Sequence, residues 1–185
     1  MTPVRLAAVL MVGSLLTTLG ALAQSQQPYG GLQSRPIKAL SEEQIADLRE
    51  GRGMGFALAA ELNGYPGPLH VLEHAEALAL TTSQRTRMEQ LLKTMQTEAV
   101  ELGRRLIAEE AELDRLFATR RVTAATMATA VGAAAQTQAR LRATHLRYHL
   151  LTAEALSAEQ IRRYAALRGY SGGAPAGGHQ RQQHR

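Results

Sequence analysis

The sequence predicts an all-α fold: one long antiparallel helical hairpin with short flanking helices, completed as a dimer. Three observations predict it. The 185 residues contain no Cys, no Trp and only two Phe, while Ala and Leu abound, which favours slender helical packing over a thick mixed core. From Thr82 to Ala118 the apolar residues Met88, Leu92, Met95, Ala99, Leu102, Leu106, Leu113 and Phe117 recur in steps of four and three. That is a heptad stripe, with Glu110 on its one missing rung. A second helix, expected over about 124–155, starts only a few residues later, past Thr119-Arg120-Arg121. So short a connection makes the two antiparallel neighbours.

The remaining elements follow in order along the chain. Residues 1–23 read as a signal peptide: Arg5 is the only charge before an apolar run that ends in Ala21-Leu22-Ala23. Cleavage is expected before Gln24, with retention as a membrane anchor as the alternative. Residues 24–39 read as a flexible leader, with Gly30, Gly31 and Pro36. A kinked N-terminal helix is expected over 40–64, interrupted at Gly51, Gly53 and Gly55, since each Gly costs about 1 kcal/mol against Ala in a helix interior. Asn63-Gly64-Tyr65-Pro66-Gly67-Pro68 is a turn, and a short helix from Leu69 to about Leu78 opens the hairpin domain, 69–168. The returning helix carries Met127, Val131, Ala134, Leu141, Leu146 and Leu150, with a first half of mostly small residues that admits a close neighbour. A last short helix, Ala158 to Arg168, leads into a Gly-, Gln- and Arg-rich tail, 169–185, expected to be disordered.

One pattern occurs three times: Leu40-Ser41-Glu42-Glu43-Gln44, Leu80-Thr81-Thr82-Ser83-Gln84 and Leu156-Ser157-Ala158-Glu159-Gln160. Each is a capping box, in which the hydroxyl accepts from a backbone N–H inside the helix and the Gln reaches back to the cap. As helix starts, each is worth about 0.5–2 kcal/mol. Two copies bracket the hairpin, with Leu80, Thr81 and Gln84 opening it and Leu156, Ser157 and Gln160 following it. That layout, over about residues 69–168, resembles the Spy/CpxP family of periplasmic stress proteins, marked by paired L-T-x-x-Q motifs. The second copy departs by having Ser for Thr. The resemblance implies an all-helical, cradle-shaped dimer and a role as an ATP-independent chaperone, a stress-response modulator or a metal-responsive protein.

Four histidines form two i, i+4 pairs, His70/His74 and His145/His149. On a helix that spacing puts both imidazoles on one face, where two nitrogens can reach one metal ion. With a turn centred near 120–121, His145 falls level with Gln96 and His149 with Leu92, and the short helix bearing His70 and His74 can fold back over the same end. The arrangement is also similar to the nickel- and cobalt-responsive periplasmic sensors, which carry His-x-x-x-His on the short helix and His-x-x-x-Met on the returning one. Here His149 stands in place of Met. The sensors also use a Glu from the long helix, whereas Leu92 or Lys93 falls at that level here. A divalent transition metal (Ni, Co, Zn or Cu) is thus the candidate cofactor. The alternative is that these are ordinary interface histidines. His179 and His184 read as solvated spacer in the tail.

His70-Val71-Leu72-Glu73-His74 also spells H-x-x-E-H, the inverted zinc-protease signature. It lies on a short helix after a Pro-Gly-Pro turn, without the mixed domain those enzymes need. The sequence has no cysteine nucleophile, Ser/His/Asp set or phosphate-binding loop, so a non-enzymatic protein is expected. The formal net charge is +5, and all sixteen acids lie between Glu42 and Glu159. In a secreted protein this basic balance points to acidic surfaces or clients rather than nucleic acid. The expected function is a periplasmic, ATP-independent chaperone holding unfolded clients on a helical cradle. The alternative is a heavy-metal sensor or resistance protein using the paired histidines. Expected partners are a second copy, to cover the thin stripes, and unfolded clients or a membrane-bound regulator.

Overall fold

The computed structural model describes residues 29–170. The expected signal peptide, the first part of the leader and the tail beyond Tyr170, with His179 and His184, lie outside them. Among the described residues the fold is all-helical, without a strand. It comprises α1 (Glu42–Glu50), α2 (Leu58–Glu61), α3 (Pro68–Glu73), α4 (Thr82–Ala118), α5 (Ala124–Glu154) and α6 (Ala158–Leu167). None of these helices is long and apolar enough to cross a membrane.

The long pair α4 and α5 forms the hairpin, turning at Thr119–Arg121 with Arg120 in the left-handed region, φ 55°. Its seam is not quite the expected stripe. On α4 the buried residues are Met88, Leu91, Met95, Ala99, Gly103 and Leu106, while Leu92 and Leu102 are only partly covered. On α5 the seam runs through Ala134, Thr137, Leu141, Thr144, His145, Tyr148, His149 and Thr152. Leu150, Met127 and Val131, expected on that stripe, are exposed. The reason is that threonine can be buried in a helix by satisfying its own hydroxyl: Thr152 Oγ1 donates to the Tyr148 carbonyl at 2.7 Å. Polar residues thereby occupy the seam, and the histidines belong to it rather than flanking it.

The expected kinked helix over 40–64 is two helices. Gly51 ends α1 in the left-handed region, φ 66°, and several turns separate it from α2. α1 crosses α4 at Gly103, so closely that a Cβ there would stand 2.1 Å from the Leu48 carbonyl oxygen. Leu48, Ala99, Leu106, Ala134 and Leu141 form one apolar cluster around this crossing. The described part of the leader is tied down too. Ile37 is buried, while the Lys38 backbone N–H and Nζ both donate to the Asp114 carboxylate, at 3.3 and 3.2 Å. A second cluster, containing Val71, Leu78, Met88, Leu91, Tyr148, Leu156 and Tyr164, joins α3 and α6 to the open end of the hairpin.

Candidate functional site

All three repeated motifs are complete capping boxes, at Ser41/Gln44, Thr81/Gln84 and Ser157/Gln160. The two that bracket the hairpin do more. The Gln84 amide donates to Gln160 Oε1 at 2.9 Å, and the Gln160 amide donates to Gln84 Oε1 at 3.0 Å. Each amide also donates to a carbonyl beside the other motif, Gln84 to Ala155 O at 3.0 Å and Gln160 to Leu78 O at 3.3 Å. Leu80 and Leu156 pack into the adjoining cluster. The motifs therefore form a reciprocal amide clasp that closes the hairpin's open end, whereas Gln44 serves only its own cap.

Beside this end lies a cavity of about 320 Å³ walled by residues of α2, α3, α4 and α5, with Arg168 and Tyr170 from just after α6. The turn before α3 builds one side. Pro66 and Pro68 are almost fully buried, and Gly67 between them lets the His149 ring approach, since a Cβ there would lie 3.0 Å from its Nε2. His70, His145 and His149 all line the cavity, with Met95 from α4 between the two levels expected to face the histidines. His74 is not among its lining residues. α3 stops at Glu73, so His74 leaves the helical path (φ −105°, ψ 18°) and sets its ring edge-on to Tyr164, centroids 6.4 Å apart. Its backbone N–H still donates to the His70 carbonyl, so the i, i+4 relation survives in the backbone while the His74 ring faces Tyr164.

The three lining histidines have distinct surroundings. His149 Nδ1 lies 2.6 Å from the Tyr65 carbonyl oxygen. A carbonyl only accepts, so Nδ1 carries a proton and donates it there. His70 Nδ1 lies 2.8 Å from Glu73 Oε2, which orients that ring through the same nitrogen. His145 is 2 % exposed, stacks on Phe56 at 6.0 Å, and leaves its buried Nε2 without a hydrogen-bond partner. Burial first, and then the neighbouring His149, hold its pKa below the ordinary imidazole value, so the ring is neutral at pH 7. Among the described residues no three His, Asp or Glu side chains already converge on one point that could hold an ion.

Glu61 is the residue sequence reasoning missed. It ends a four-residue helix in an unremarkable Ala-Ala-Glu-Leu stretch, yet it is 7 % exposed and lines the cavity. Glu98 of α4 accepts from Arg147 and from the Tyr148 hydroxyl. Comparison of the chain with family models, with curated proteins and with solved structures finds no match.

Proposed function

We propose that this chain is an exported helical-hairpin protein of Spy/CpxP type that binds a divalent transition metal in the cavity beside its clasp, serving the periplasm as a metal-responsive or metal-resistance protein. The observation that carries the reading is the His145 ring: buried, neutral, with an unpartnered nitrogen, in a cavity shared with His70 and His149. Leaving a buried polar atom unpaired costs about 1–3 kcal/mol, a cost that a ligand to that atom would offset. His70 and His149 have the outer hydrogen bonds typical of metal-bound imidazole, Nδ1–H held by a carboxylate or a carbonyl with Nε2 left free. Met95 would be a soft neighbour suited to the later first-row metals.

The chaperone reading rests on a different observation. The far end of the hairpin exposes Phe117, Met127 and Val131, and the chain from Val122 to Ala139 carries no charge. An exposed apolar stretch of this kind suits a second copy, an unfolded client, or both. Titration of the purified protein with nickel, cobalt, zinc and copper separates the two. Micromolar or tighter binding at one site per chain supports the metal reading. No binding, together with suppression of an unrelated protein's aggregation in the absence of metal, would replace it with the chaperone.

A further inference from the structure

Glu61 belongs to two structures at once. Its Oε2 accepts from the Gly67 N–H at 3.3 Å and lies 3.7 Å from His149 Nδ1, on the cavity side. Its Oε1 accepts from the Tyr164 hydroxyl and, at 3.1 Å, from the Tyr170 hydroxyl, with Arg168 Nε 3.6 Å away. Those three partners come from α6 and the residues just after it. They reach the carboxylate across about a hundred residues of chain, and Arg168 and Tyr170 also form part of the cavity wall.

We infer that Glu61 is a positioning residue through which occupancy of the histidine cavity governs the seating of α6. The inference rests on the metal reading above. His149 is fixed from outside by Tyr65 and Glu61, and Glu61 is fixed in turn by Tyr164 and Tyr170. Lifting α6 removes two donors and a cation from the carboxylate, and it also removes two residues from the cavity wall. A metal-loaded cavity therefore opposes the opening of α6. Because α6 carries Gln160, the same opening breaks the amide clasp, so the signal reaches the end of the hairpin where the two motifs meet.

Linkage sets the size of the effect. Where opening α6 destroys the site, bound metal slows amide exchange in α6 by about 1 + [metal]/Kd, roughly tenfold at ten times Kd. Amide exchange of residues 158–168 is to be followed with and without the tightest-binding ion of the four, alongside directly measured bound metal. It is measured in the wild type and in Tyr164→Phe, which removes an α6 donor from Glu61 and lies outside the cavity wall. The expected result is about tenfold slowing in the wild type. Tyr164→Phe should bind metal with smaller slowing. Metal binding with unchanged α6 exchange in the wild type overturns the coupling while the metal reading stands. Equal slowing in Tyr164→Phe and the wild type shows that the coupling does not pass through Glu61. Failure of the wild type to bind any of the four ions removes both.

Discussion

Two glycines in the hairpin ought to respond in opposite directions to the same substitution. On helix propensity alone, Gly→Ala in a helix interior gains about 1 kcal/mol. At Gly132 an added Cβ meets nothing within 4 Å, so that gain is realised. At Gly103 the Cβ would stand 2.1 Å from the Leu48 carbonyl oxygen and 2.8 Å from its carbonyl carbon. The obstacle is the backbone of α1 and cannot move aside by a rotamer change. α1 must shift, uncovering Leu48, which is 2 % exposed. Overpacking of this kind costs about 1–3 kcal/mol, and a backbone clash belongs at the upper end. Subtracting the propensity gain leaves Gly103→Ala destabilised by about 2 kcal/mol. In a domain of this size that lowers Tm by about 4–8 °C, while Gly132→Ala raises it by about 2–4 °C. Urea unfolding with matched slopes is the assay. A Gly103→Ala protein as stable as the wild type would show that α1 does not cross α4 there.

The clasp predicts that Gln84→Ala and Gln160→Ala each cost about 2–3 kcal/mol, since each removes a cap bond and leaves part of the other amide unpaired. A double-mutant cycle should give a coupling of about 1 kcal/mol, and Gln44→Ala should cost less than either; additive single effects would count against the clasp. His145 predicts a pH dependence. Its folded pKa is lowered by burial and by His149, so below about pH 6.5 the unfolded chain takes up a proton that the native ring refuses. Stability is lost as pH falls through that value, at no more than about 1.4 kcal/mol per pH unit for one proton. His145→Leu should flatten that limb of the curve, and an unchanged curve would place the titration elsewhere.

The hairpin was legible because its signals are local: capping boxes announce α4 and α6, a five-residue connection forces antiparallel packing, and heptad spacing marks Met88, Met95, Ala99 and Leu106. The exact seam was not legible. Thr137, Thr144 and Thr152 read as polar, and only the structure reveals that a hydroxyl can return to its own helix, as that of Thr152 does. The purpose of Gly103 was not legible either, because it lies in a residue 55 positions earlier. At the site, i, i+4 spacing correctly placed His145 and His149 on one face of α5. His74 stands at the C-cap of α3, its N–H still bonded to the His70 carbonyl, and its ring packs on Tyr164. Glu61 carried no signal at all, since its partners Gly67, Tyr164 and Tyr170 are assembled from three separate segments. The two motif glutamines were visible as caps, but their pairing depends on the hairpin bringing residues 84 and 160 together.

The most direct test of the cavity is to compare four single variants, His70→Ala, His74→Ala, His145→Ala and His149→Ala, by calorimetric titration with nickel, cobalt, zinc and copper. The cavity predicts that His145→Ala and His149→Ala abolish binding of the preferred ion, His70→Ala weakens it at least tenfold, and His74→Ala leaves it unchanged. Loss of binding on removing His74, or binding that survives removal of both His145 and His149, would contradict the account.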